Sequence, residues 1–208
     1  MNFQKEYWNN EHCKQISKKP EYDFWLDSYR EILEEAKGAG IIDLGCGRGN
    51  NSLYLTERGF RVTACDISDI ALDRVRQYIP EAETRILDML DGLPFGSGSS
   101  AVIIADLCLH YFLWAETVNI LKEIHRVLKS GGWLLFRVNS TKDVNYGAGQ
   151  GILIEDDYYD IGGNRKRFFD REQLEALFSE WKLIRLSEYQ MDRYRMPKIL
   201  WEGAAGKK

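Results

Sequence analysis

No apolar run in this sequence is long enough to cross a bilayer. The start of the chain, Met1-Asn2-Phe3-Gln4-Lys5-Glu6, lacks the charged-then-apolar pattern of a secretory signal, so cytoplasmic residence is expected. Cysteine is scarce. Cys13, Cys46, Cys65 and Cys108 show no paired spacing, which argues against a disulfide framework or a zinc knuckle, and no metal site is expected. A basic excess is also missing. Lysine and arginine total 28 against 32 acidic residues, a net charge of -4, which argues against a nucleic-acid partner and its electrostatic footprint. What remains is an ordinary globular composition over 208 residues, enough for one domain with one sizeable core.

The chain opens with polar-aromatic segments. Phe3 to Ser17 is expected to be helical. After Pro20, the residues Trp25, Tyr29, Ile32, Leu33 and Ala36 share one helical face, and Gly38 and Gly40 end that helix. The period then changes. Gly40 to Leu44 reads as a buried strand, Asn50 to Arg58 as a helix, and Phe60 to Cys65 as a second strand. Ser68 can cap a helix running to about Ile79. Thr84–Leu87, Ala101–Ala105 and Trp133–Val138 are three more strands, with a helix from about Trp114 to Lys129 before the last. This alternation predicts a mostly parallel sheet covered on both faces. Asn139 to Asn164 breaks the rhythm with glycine, aspartate and tyrosine. Asp170-Arg171-Glu172-Gln173 is a capping box, Lys182–Leu186 a strand, and Pro197–Trp201 a final strand.

The turn Ile41-Ile42-Asp43-Leu44-Gly45-Cys46-Gly47-Arg48-Gly49 lies between a strand and a helix. Without side chains the backbone can approach a ligand closely, and the helix start offers free N–H groups. Dinucleotide enzymes use G-x-G-x-x-G for this purpose. Here the third position of that fingerprint is Asn50, and an acidic residue, Asp43, precedes the first glycine. A carboxylate there suits a cationic ligand better than a pyrophosphate. The turn alone leaves a nicotinamide-dependent oxidoreductase open as an alternative.

Further stations follow in order at strand ends: Asp66, Asp88-Met89, and Asp106 leading into Leu107-Cys108-Leu109-His110-Tyr111-Phe112. With the Leu93-Pro94-Phe95 run and Glu123-Ile124-His125-Arg126-Val127-Leu128-Lys129-Ser130-Gly131-Gly132, the chain resembles the class I S-adenosylmethionine-dependent methyltransferases. The likeness is to the small-molecule kind, similar to thiopurine, tellurite-resistance and type 11 enzymes, and covers residues 38 to 140 closely.

The resemblance implies a Rossmann-like, doubly wound α/β fold. Its seven-stranded sheet would run in the order 3-2-1-4-5-7-6 with the last strand antiparallel. Residues 1–37 would form a helical cap, 38–140 the cofactor core, 141–168 a substrate-side insert, and 169–208 the closing helix and strands. S-adenosylmethionine is the implied cofactor. Asp43, Gly45, Cys46 and Gly47 would take its amino-acid part. Asp66 and Ile67 would take the ribose, Asp88 and Met89 the adenine, and Asp106 and Leu107 the region beside the methyl group. Trp8, with Tyr7 and Trp25, would form an aromatic lid.

Methyl transfer from a sulfonium needs alignment and dryness more than a catalytic constellation. His110 is the candidate general base or acceptor contact. The text after strand four, Asp106-Leu107-Cys108, carries neither the N/D-P-P-Y of amide-nitrogen methylases nor the Pro-Cys of cytosine-C5 enzymes. The expected activity is therefore methyl transfer to a small molecule by a monomer or homodimer. The alternative is a catalytically silent cofactor-binding regulator or scaffold. In the insert, Gly147, Gly149 and Gly151 suggest a hinge-like loop. The runs Glu155-Asp156-Asp157 and Arg165-Lys166-Arg167 suggest facing solvated segments, as in a hairpin, with an anion-binding role for Arg165 or Arg167 as a lesser alternative.

Overall fold

The unbroken apolar-acid run Ile41–Leu44 forms β1, buried along its whole length. The computed structural model describes residues 3–14 and 18–208. Before β1 come helix α1 (Phe3–Cys13), a 3-10 turn (Trp25–Tyr29) and α2 (Arg30–Glu35). After it the chain alternates: α3 (Asn50–Thr56), β2 (Val62–Asp66), α4 (Asp69–Tyr78), β3 (Glu83–Ile86), β4 (Ser100–Asp106), α5 (Trp114–Val127) and β5 (Leu128–Asn139). Then follow β6 (Ile152–Glu155), β7 (Tyr158–Ile161), β8 (Asn164–Arg167), α6 (Arg171–Leu177), β9 (Lys182–Met191) and β10 (Lys198–Gly206). The expected end of the first helix at Ser17 lies outside the described residues.

The main sheet has seven strands in the order β3-β2-β1-β4-β5-β10-β9. Counted along the chain, this is the expected 3-2-1-4-5-7-6. β10 runs antiparallel to both neighbours, and the pairs among β1 to β5 are parallel. Apolar layers cover both faces. One packs Leu33, Tyr54, Leu55, Leu72 and Val75 from α2, α3 and α4 on the sheet. The other packs Leu121, Ile124 and Phe178 from α5 and the end of α6. Ser68 caps α4 by accepting from the Ala71 N–H at 3.2 Å, and Asp170 opens α6 with the expected capping box. Among the described residues no helix is long and apolar enough to cross a membrane.

The late strands exceed the sequence expectation. β9 continues to Met191, and β10 starts after Pro197 and runs to Gly206. Gly203 and Gly206 make this possible, since a Cβ at either would collide with the rings of Phe136 or Trp133 on β5. The insert is not a simple hairpin. β6, β7 and β8 form a separate antiparallel sheet. Two of its expected hinge glycines are packing positions. A Cβ on Gly147 would lie 2.2 Å from Ile161 Cδ1, and one on Gly151 would lie 2.3 Å from the Asp160 carbonyl. Nor are the charge runs fully solvated, because Arg167 is buried and ion-paired with Glu155.

Candidate cofactor and acceptor site

The winding of the sheet reverses between β1 and β4, where crossovers leave in opposite directions. Open α/β sheets bind ligands at such a switch point, beyond the carboxyl ends of the strands. A cavity of about 230 Å³ opens there. The loop after β1 forms one wall through Gly45, Cys46, Gly47 and Arg48, and the loop after β4 forms another through Asp106, Leu107 and Cys108. Asp66 and Ile67 follow β2, and Asp88 and Met89 follow β3. Trp8 of α1 lies against the opening, its ring 4.7 Å from that of Tyr111.

Glycine is required at two turn positions. Gly45 has φ +68, and a Cβ there would lie 2.6 Å from Cys108 Cβ. Gly47 has φ +53 but more room, its virtual Cβ being 3.6 Å from His12. Gly47→Ala should therefore fold and cost about 1–2 kcal/mol for the left-handed backbone. Urea unfolding checks this, and an unchanged midpoint would refute the conformational requirement.

Asp66 is buried and holds the turn in place. Its carboxylate accepts from the Gly47 N–H at 2.8 Å and the Ser68 N–H at 2.9 Å. Burial raises its pKa, opposed by those backbone donors and by nearby His12. Asp106 is half-buried; burial would raise its pKa, but Arg137 outweighs this and the pKa is lowered. Arg137 grips it through two bonds of 2.7 Å, and Asn51 Nδ2 donates to it at 3.2 Å. Leu107, immediately after, has φ +54, a strained left-handed backbone for leucine. Its N–H is fixed to the Arg137 carbonyl at 2.9 Å.

Two expected site residues do not line the cavity. Asp43 is fully buried behind the glycine turn and accepts from Ser52 Oγ at 2.6 Å, tying β1 to α3. Burial pushes its pKa up to about 7, with the Ser52 hydroxyl opposing the shift. It sits under the loop and outside the cavity lining. His110 is buried next to Tyr111 in the 3-10 turn Leu109–Tyr111. Successive residues in such a turn point about 120° apart. Tyr111 takes the cavity wall and His110 does not. Burial, with Lys198 and Lys166 nearby, holds the His110 imidazole neutral well below the usual histidine range. Trp25 is likewise no lid. It is buried on the far side of Asn51, donating to Asn51 Oδ1 at 2.9 Å.

The cavity also holds residues the sequence did not single out. Gln4 and His12 come from α1, Arg48 and Asn51 from the start of α3 and its turn, and Arg193 and Tyr194 from the loop between β9 and β10. The Glu123–Arg126 pair has a different task. Arg126 donates to the carbonyls of Leu93 and Phe95 at 2.9 and 2.8 Å, and Glu123 accepts from the Leu93 N–H at 3.1 Å. Together they clamp the loop after β3 onto α5.

Comparison with known proteins fits this geometry. A family model described as a methyltransferase domain matches residues 42–136. An uncharacterized methyltransferase of Synechocystis sp. is 35% identical over 102 residues, covering 49% of this chain and 48% of that protein. The chain spans about half the length of the curated relatives it matches first. A SAM-dependent methyltransferase structure from Methanosarcina mazei superposes with a TM-score of 0.72 at 20% identity, covering 85% of this chain and 96% of that one. Geranyl diphosphate C-methyltransferase from Streptomyces coelicolor, solved with Mg2+, geranyl diphosphate and S-adenosyl-L-homocysteine, superposes with a TM-score of 0.61 at 17% identity, covering 88% and 77%. The two structural likenesses show a shared fold. With the glycine turn at the switch point, the matching family model and the curated methyltransferase relatives support a class I S-adenosylmethionine-dependent methyltransferase, with S-adenosylmethionine as its cofactor.

Proposed function

We propose that the protein transfers a methyl group from S-adenosylmethionine to a small-molecule acceptor. The observation that carries this reading is the cavity at the switch point, walled by both the glycine turn and the loop after β4. The residues fit such a ligand. Arg48 lines the cavity, and its buried Nη1 has no hydrogen-bond partner among the described residues. A ligand carboxylate would satisfy it, and burial already presses on its charge. Gly45 and Gly47 leave backbone free for close approach. Asp66 still has acceptor capacity for ribose hydroxyls, because a carboxylate offers about four lone-pair sites. Asp88 and Met89 would hold the adenine edge and face.

When bound, S-adenosylmethionine supplies an electrophilic methyl on a sulfonium, a leaving group already activated. The chain's own residues then align and exclude water. Trp8 and Tyr111 close the opening, and Cys108 and Phe112 keep the wall apolar. Cys108 is no nucleophile. Its thiol is buried, donates to the Leu44 carbonyl and has its pKa raised by burial.

Geranyl diphosphate in the complex from Streptomyces coelicolor supports a small acceptor. The test is turnover. Purified protein with S-adenosylmethionine and a panel of small acids, amines, thiols and phenols should release S-adenosylhomocysteine with at least one of them. Cofactor binding with no release across the panel would instead favour a silent regulatory binder.

A further inference from the structure

The basic run Arg165-Lys166-Arg167 lies on β8, where alternate side chains take opposite faces. Arg165 and Arg167 share one face and form ion pairs within the insert, although Arg167 Nε is buried without a partner among the described residues. Arg165 pairs with Asp160 at 3.4 Å; Arg167 pairs with Glu155 and donates to the Asp156 carbonyl at 2.7 Å. Lys166 takes the other face. It is half-buried and has neither hydrogen bond nor ion pair among the described residues. β8 packs on the turn that carries His110.

The charges near Lys166 do not neutralise it. Lys198 and Lys166 each bear on His110, and Lys198 presses on Lys166. Asp143 is already committed, accepting from Lys198 Nζ at 2.8 Å and the Ile199 N–H at 3.1 Å. Glu11 is engaged by Lys14. Among the described residues, buried polar atoms near this turn and strand end also lack hydrogen-bond partners: His110 Nδ1, and both Nδ2 and Oδ1 of Asn139. Asn139 ends β5 and pairs with Leu200, two residues along β10 from Lys198. Arg193 and Tyr194, from the loop leading into β10, line the cofactor cavity next door. The Tyr194 ring lies 5.9 Å from Lys198 Nζ. Leaving such groups unpaired is costly, and crowding like charges adds to the cost.

We infer that this cluster is the acceptor subsite and that the acceptor is an anion. Its carboxylate or phosphate is held by Lys166 with Lys198, and the Asn139 amide and the His110 ring supply hydrogen bonds. The inference rests on the methyltransferase reading of the adjoining cavity and names the acceptor class that reading leaves open.

The test uses the full chain saturated with S-adenosylhomocysteine. Binding of para-fluorobenzoate and its neutral isostere para-fluorobenzamide is followed by fluorine NMR, with inorganic phosphate as competitor. The benzoate should bind saturably and the benzamide about tenfold more weakly or worse, the loss expected for one charge-assisted hydrogen bond. Displacement by phosphate marks a phosphate-type site and no displacement a carboxylate-type site; either supports the proposal. Lys166→Gln, which removes no hydrogen bond or ion pair among the described residues, should lose about tenfold in benzoate affinity. No saturable benzoate binding to the loaded protein, equal binding of the benzamide, or unchanged affinity in Lys166→Gln would overturn it. Failure of S-adenosylhomocysteine to bind would instead bring down the reading of the cavity, and the subsite with it.

Discussion

Replacing Arg137 with methionine should cost about 3–5 kcal/mol of folding stability, the usual result of leaving one partner of a buried ion pair alone. Arg137 is fully buried in the middle of the sheet. It reaches Asp106 through Nε and Nη2, each at 2.7 Å, and Asp23 through Nη1 at 2.8 Å. Its guanidinium also lies 4.5 Å from the Trp25 ring centroid. The substitution roughly keeps volume and leaves the Asp106 carboxylate, 8% exposed at the cavity wall, without its guanidinium partner.

The pH dependence follows by sign. In the wild type the Asp106 pKa lies below its ordinary 3.8. Its contribution is present above that ordinary value and lost as pH falls through the lower folded value. In the variant, burial acts without Arg137, so the pKa rises and stability is lost as pH rises through it. The gap between the two proteins should thus be largest near neutrality and narrow as pH falls towards about 4. Urea unfolding at several pH values measures this. A difference under about 1 kcal/mol at neutral pH would show that the pair is not what holds this end of the sheet.

Asp66→Ala is the second large effect, this time on binding. Losing the proposed contacts to both ribose hydroxyls should weaken S-adenosylmethionine by about 2–3 kcal/mol. Asp66 also accepts from the Gly47 and Ser68 N–H groups, so the alanine variant loosens the turn as well. Circular dichroism and urea unfolding separate a local loss from a global one. Calorimetry on the folded variant then reads the affinity, and an unchanged value would refute the ribose assignment.

Much of this site was legible because its parts lie at strand ends. Gly45, Gly47, Asp66 and Asp88 each follow a short apolar run by one to three residues, so local pattern places them. Arg193 and Tyr194 carry no such mark. They reach the cavity only because β9 and β10 pair at the far side of the sheet, and nothing near them in sequence records that distant pairing. Arg137 does carry a sequence signal. A charge inside Trp133–Val138 needs a buried partner, and in the paired register that partner is Asp106. His110 shows the opposite failure. The motif located the right loop, but the 3-10 turn decides which ring faces the cavity, and it faces Tyr111 inward. The insert is less legible because its glycines look flexible in sequence, while Gly147 and Gly151 are packed.

The central claim is that the cavity at the switch point takes S-adenosylmethionine. Isothermal titration of the full chain with S-adenosylmethionine, S-adenosylhomocysteine and NAD tests it most directly. Saturable micromolar binding of the first two, one site per chain and no heat from NAD, is the predicted result. Binding of NAD with neither sulfur ligand would contradict it.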